Sequence, residues 1–347
     1  MDPPSKSRVS ERVSARRASL RLIAANEKKT VLSPCGAPPS NHVKSRPIEI
    51  KKDASLDEAI ALTLSSCLEH FIANQPSSGQ LGAIEQVHQM RVALRRLRAA
   101  VGLFRRAIQS AELEIAAERA KTIAARLGAA RDLDVFGQNM ETGAFAKFRG
   151  EPSFYALLDA VECRRRGAYD DVRTLLEAPQ TSQFVTELRS ALLRRAWTPA
   201  SALDNHVATS KPGTARVFAA NALERLHHRA LKRTKRLASR PEHEQHLARI
   251  ALKKVRYAGE FFQSLFDDKK GARAYLRVAA KSQDELGVYN DMAVATKLLQ
   301  DIGASNGANT AYAAGFVRGW LAHAQAAVAE GAGKIQKAVH KLKPFWR

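Results

Sequence analysis

Two stretches of the chain carry the same row of cations at the same spacing. His88-Gln-Met-Arg91-Val-Ala-Leu-Arg95-Arg96-Leu-Arg98 is matched by His246-Leu-Ala-Arg249-Ile-Ala-Leu-Lys253-Lys254-Val-Arg256, a shift of 158 residues that keeps every charge at steps i, i+3, i+7 and i+10. A second pair follows each copy at a shift of 159: Leu127-Gly128-Ala-Ala-Arg131-Asp132 and Leu286-Gly287-Val-Tyr-Asn290-Asp291. Such a correspondence reads as an internal duplication.

Each row predicts a helix. Glu85 to Phe104 has no proline and repeats Val87, Leu94, Leu97, Val101 and Phe104 with helical periodicity. At roughly 100° per residue, His88, Arg91, Arg95 and Arg98 fall within an arc of roughly 80° beside the apolar stripe. The cations are therefore expected at the edge of a core. One such row would be read as snorkelling side chains on a solvated face; two matching rows favour a common task. A guanidinium stays charged and presents a planar fork of donors, and lysine supplies a compact point charge, so both suit a chain of oxyanions. Successive groups stand roughly 5 to 6 Å apart on a helix, close enough to contact one polyanion. Crowding them is costly without a ligand, which predicts low local stability or bound anions in the free protein.

Composition points the same way. The 56 Lys and Arg against 34 Asp and Glu give a net charge of +22, which suits nucleic acid, polyphosphate or an acidic membrane surface. With 347 residues, 45% of them hydrophobic, the chain can bury a substantial core in one large domain or two coupled halves. Cys35, Cys67 and Cys163 are odd in number and far apart, arguing against a disulfide framework or metal cluster and for a reducing compartment. Cys67 and Cys163 are expected on buried apolar faces. No apolar run is long enough to span a membrane, and the basic N-terminus lacks the apolar core of a secretory signal. A cytoplasmic protein without membrane insertion is expected.

Residues 1–47 hold ten Lys or Arg among serines and prolines and predict a disordered basic tail. Residues 48–198 form a first helical half, 199–213 a linker and 214–347 a second half. Ser55-Leu-Asp-Glu58 is a capping box opening a helix through Phe71, and Asn74 to Gly82 is the turn before the first basic helix. Further helices are expected from Ala111, over Phe154 to Glu177, over Gln183 to Trp197, over Thr214 to Ser239, and from Pro241 to Phe266. One more precedes Leu286-Gly287, another covers Ala293 to Ile302, and a last one runs from Asn309 to Leu342 with a bend near Gly331 and Gly333. The helix from Thr214 carries Arg225, Arg229, Lys232 and Arg236 on one face. Nothing alternates like a strand. The expected fold is all-α, two four-helix bundles about a pseudo-twofold axis that brings both basic helices to one cavity.

Other chemistries fit less well. A divalent ion at His88 and His246 would sit among cations without a carboxylate cluster, so no metal is expected. Each histidine more readily donates a hydrogen bond to phosphate or a neighbouring helix. Asp132 and Asp291 are expected to pair with motif arginines and hold them extended, and the Leu-Gly glycines to allow close helix packing or a bend. There is no P-loop, nucleophile elbow, Cys/His pair or acidic metal site, so a non-enzyme without cofactor is expected. With 6% aromatic residues and no stacking motif, sequence-specific RNA reading is disfavoured.

From about Ile48 onward the chain resembles the CHAD family, the conserved histidine α-helical domain. The resemblance rests on Val87-His88 to Arg98, on His246 to Tyr257 with Glu260-Phe261, and on the two Leu-Gly segments, Leu127-Gly128 to Val135 and Leu286-Gly287 to Asp291. It implies paired four-helix bundles and inorganic polyphosphate bound in a basic central channel, with attachment to polyphosphate granules. Carried onto matching positions, the binding set is His88, Arg91, Arg95, Arg98, His246, Arg249, Lys253 and Arg256, flanked by Arg96, Arg131, Lys254 and Tyr257. The triphosphatase activity of relatives fused to a CYTH barrel is not expected, since only the basic tail precedes the first helix. The alternative partner is nucleic acid, bound weakly and non-specifically by general positive charge. The sequence sets no oligomeric state.

Overall fold

Ten α-helices account for nearly all the regular structure of the computed structural model, which describes residues 42–76, 84–141, 148, 150–199, 210–329 and 331–347. In chain order they are α1 (Leu56–Ile72), α2 (Ile84–Phe104), α3 (Ala111–Glu141), α4 (Pro152–Glu177), α5 (Pro179–Leu193), α6 (Thr214–Thr234), α7 (Glu242–Phe262), α8 (Lys269–Ser305), α9 (Ala308–Ala329) and α10 (Ala332–His340). The fold is all-α. Its strands among the described residues are two-residue pieces, β1 (Ile108–Gln109) antiparallel to β2 (Thr198–Pro199). The expected tail falls largely outside the described residues, as do most of the turn before α2 and most of the segment read as a linker.

The larger of two compact units comprises Pro38–Arg131, Gly167–Asn290 and Ala332–Arg347. The chain enters it on Ile48 and Ile50, both buried, with the Ile50 N–H donating to Ser264 Oγ at 2.9 Å. Ser55 and Glu58 close the predicted capping box at the start of α1, satisfying two of the donors a helix N-terminus leaves open. The Leu56 N–H donates to Thr214 Oγ1 at 2.8 Å, and the Gly213 N–H donates to the Asp53 carbonyl at 2.8 Å. These bonds tie the start of α1 to the start of α6. Gly213 has φ +77°, a left-handed conformation that only glycine adopts without strain. In this unit α1 packs on α2, α5 and α6, α6 on α7 and α10, and α2 on α7. Phe104, Phe218 and Phe262 meet at centroid distances of 5.7 to 6.1 Å. The C-terminal Trp346 and Arg347 both donate to Glu224 of α6, at 2.9 and 2.6 Å.

The smaller unit includes Asp132–Arg166 and Asp291–Gly331. Phe148 stacks on Phe154 at 5.1 Å, and Phe316 meets both edge-on. Asp134 is fully buried and pairs with Arg165 at 3.4 Å.

Several expected boundaries move. The helices read on either side of Leu286-Gly287 are one, α8, because the intervening residues keep helical periodicity and nothing there demands a break. The helix expected to end at Ser239 stops at Thr234, and a short 3-10 turn covers Leu237–Ser239. Likewise α7 ends at Phe262, with a 3-10 turn over Gln263–Leu265 in place of its last turn. The last expected helix is two, α9 and α10, divided where a bend was read. Cys67 is buried as expected, but Cys163 is exposed. The buried stripe of α4 runs through Phe154, Leu157, Val161, Val172 and Leu175, and Cys163 lies two residues from Val161, roughly 200° round the helix.

Candidate functional site

Both basic rows belong to the larger unit, on α2 and α7, which pack together. Their relative position is held by one carboxylate. Arg96 of α2 donates to one oxygen of Glu260 at 2.6 Å, and Arg256 of α7 to the other at 2.9 Å. Arg256 Nε also donates to Gln283 Oε1 of α8 at 3.0 Å. The Arg96 guanidinium lies 5.1 Å from the centroid of the Phe261 ring, the Arg256 guanidinium 4.8 Å from that of Tyr257. Arg96 has only 7% of its side chain exposed, so this is a largely desolvated charge pair in which geometry and the added bonds decide the balance. Two cations, one from each row, are thereby engaged in holding the helices.

Four other cations of the rows line an open cavity of about 540 Å³. Arg95 and Arg98 come from α2, Lys253, Lys254 and Tyr257 from α7, Arg225 and Arg229 from α6, with Arg105 and Arg106 beyond the end of α2. Glu118 is the one acid in that lining among the described residues. Arg95, Arg98, Lys253 and Lys254 make no ion pair with any described carboxylate.

Burial and crowding together disfavour the charged forms of these groups. Burial, with Arg95, Arg249, Arg98 and Arg91 close by, pushes the Lys253 ammonium down from 10.5 to about 7. His88 is pushed down to about 4, first by burial and then by the charge of Arg131. Its Nδ1 is buried and meets no hydrogen-bond partner among the described residues. Burial and the neighbouring Arg106 and Arg229 lower Arg225 as well. A site that disfavours its own cations in this way is preorganised for an anion.

The Leu-Gly segments prove to serve the rows. A Cβ on Gly128 would stand 3.3 Å from the Arg91 guanidinium, and one on Gly287 would stand 3.6 Å from that of Arg249. In both segments the glycine leaves room for an arginine to lie across a helix surface, whereas close helix packing or a bend was expected.

The sequence-derived residues thus separate. Arg95, Arg98, Lys253, Lys254 and Tyr257 line the cavity; Arg91 and Arg249 flank Lys253; His88 and Arg131 lie together; Arg96 and Arg256 hold Glu260; His246 is exposed. Tyr257 is 4% exposed and contributes an edge of the wall. Arg225 and Arg229 were legible as a basic face of α6 by their four-residue spacing, but nothing in that spacing aimed them at α2 and α7. Glu260 was legible as part of the second family-like segment, beside Phe261, but nothing in the sequence paired it with Arg96.

Residues 62–300 match the family model of the CHAD domain, a stretch containing both rows and both Leu-Gly segments. The chain belongs to the CHAD family. Among solved structures, the CHAD domain from the plant Ricinus communis is 30% identical, with a TM-score of 0.73 over 87% of this chain and 97% of that one. PptA from Streptomyces chartreusis shares the fold at 16% identity, TM-score 0.58, covering 83% of this chain and all of that one. No functionally curated protein matches the CHAD chain. Among its described residues no three His, Cys, Asp or Glu side chains form a metal-ligand set, and no helix is long and apolar enough to cross a membrane.

Proposed function

We propose that this CHAD protein binds inorganic polyphosphate between α2 and α7, without catalysis, and so attaches to polyphosphate granules in the cytoplasm. The observation that carries the reading is the cavity wall: cationic donors from three helices, with Glu118 the only acid among its described lining residues. A flexible chain of phosphates offers oxyanions along its whole length and needs nothing but cations to hold it. Single-stranded nucleic acid also requires faces on which bases stack. The rings of this wall, Tyr257 and Phe261, are 4% and 0% exposed and give it none. A duplex, whose major groove alone is roughly 12 Å wide, is too bulky for a cavity of about 540 Å³.

Competition at physiological salt tests the choice. Long-chain polyphosphate is expected to displace a labelled polyphosphate at concentrations at least tenfold lower, per phosphate, than DNA; equal displacement would leave only general positive charge. Salt dependence alone does not discriminate, because counterion release accompanies either ligand.

The affinity should also depend on pH. Below about 7 Lys253 is charged in both free and bound protein, and its contribution is complete. A bound anion raises the pKa again, so binding takes up a proton above that point, and affinity falls as pH rises from 7 towards the ordinary lysine range. The limiting slope is about tenfold per pH unit for one proton. Titrations at pH 6.5, 7.5 and 8.5 and constant salt check this; a flat profile contradicts the role given to Lys253.

A further inference from the structure

Lys253 has a second chemical capacity. It is half-buried, lines the cavity, and has Arg95, Arg98 and Arg91 of α2 and Arg249 of its own helix within electrostatic reach. From the other walls Arg225 and Arg229 of α6 and Glu118 of α3 face the same space. Its neighbour Lys254 lines the same cavity but is exposed.

We propose that the Lys253 amine is a site of acylation by small acyl phosphates, whose phosphate group the surrounding guanidiniums hold. Three features of the geometry converge on this. The cavity admits a small anion, guanidinium forks bind phosphate, and an amine stands among them without a carboxylate partner. The amine nitrogen attacks the acyl carbon, and the bond from that carbon to the phosphate oxygen breaks. Phosphate departs with the electron pair, and the proton lost by the attacking nitrogen passes to it or to solvent. The product is an amide and inorganic phosphate. The depressed ammonium pKa supplies free amine near neutrality, where an ordinary lysine is almost wholly protonated. At pH 8 this gives roughly 300-fold more free amine, offset in part by the lower intrinsic nucleophilicity of a weaker base, for a net advantage of about tenfold. The acylated side chain is neutral and bulkier. That it would weaken polyphosphate binding rests on the function proposed above; that it forms does not.

The test uses the full chain and acetyl phosphate at pH 8, with the acetylated peptides quantified over time by mass spectrometry. Lys253 is expected to react more than tenfold faster than Lys254, about tenfold from the reactivity of its amine and the remainder from the held phosphate. Its preference should shrink with acetic anhydride, which carries no phosphate for the arginines to hold, and saturating long-chain polyphosphate should protect it. A Lys253 rate no greater than that of Lys254, or an equal preference with the anhydride, would overturn the proposal. Preferential acetylation without protection would uphold it and remove polyphosphate from this cavity. Polyphosphate binding without preferential acetylation would sink the acylation alone.

Discussion

Replacing Arg91 and Arg249 together with alanine is expected to lower the affinity for long-chain polyphosphate at least a hundredfold while leaving helical content unchanged. Each side chain flanks Lys253 and lies across a glycine, Arg91 across Gly128 and Arg249 across Gly287. A hydrogen bond to a charged group contributes about 1.5 to 3 kcal/mol, and every 1.4 kcal/mol is a factor of about ten in affinity. Neither arginine lines the cavity itself, but a long chain that runs on past Lys253 meets one in each row, and losing one such contact per row reaches two orders of magnitude even at the low end. Both positions are interior to helices, where alanine is the best helix former, so the circular dichroism spectrum should not change. Two exposed arginines ion-paired elsewhere, Arg119 with Glu187 and Arg173 with Asp170, serve as charge-matched controls and should change affinity only slightly. If deleting residues 1–47 abolishes binding and the double substitution does not, the N-terminal segment is the binding element.

The second large effect concerns stability. Glu260→Ala removes the carboxylate that Arg96 and Arg256 share and leaves Arg96, with 7% of its side chain exposed, without its counter-charge. Removing one member of a buried pair costs about 3 to 5 kcal/mol, chiefly because the remaining charge stays desolvated. A comparable fall in unfolding free energy is expected from urea titration. The charge itself can be isolated. Adding Arg96→Met to the Glu260→Ala background should recover much of the loss, since an apolar side chain of similar length then rests on Phe261. No recovery would mean that Glu260 acts through packing. The bridge also orients both rows, so the single substitution should weaken polyphosphate binding under conditions where the protein remains folded.

Much of this was written locally in the chain. The capping box at Ser55 and Glu58, the apolar stripe of α2 and its recurrence in α7 all depend on residues within a few turns of each other, and short-range periodicity exposes such features. The placement of the cations at a core edge followed from the angle between two stripes on one helix. What escaped depends on distant residues. Gly287 does not break its helix: α8 runs through it, and the space it leaves is taken by Arg249, 38 residues away in sequence. The side of α4 that Cys163 takes depends on which stripe finds a partner. Glu260 carries no mark of its bond to Arg96, 164 residues away, and the meeting of the Arg225 face with the two rows required the packing of α6 on α7. Neither compact unit is contiguous in sequence, so linear boundaries alone did not reveal them.

The proposed function turns on where a phosphate chain lies. A crystal structure of the protein with polyphosphate bound is its most direct test. The chain of phosphates is expected between α2 and α7, with oxygens at hydrogen-bond distance, about 2.7 to 3.2 Å, from Arg95, Arg98 and Lys253. Phosphates on another face, or held only by residues 1–47, would contradict it.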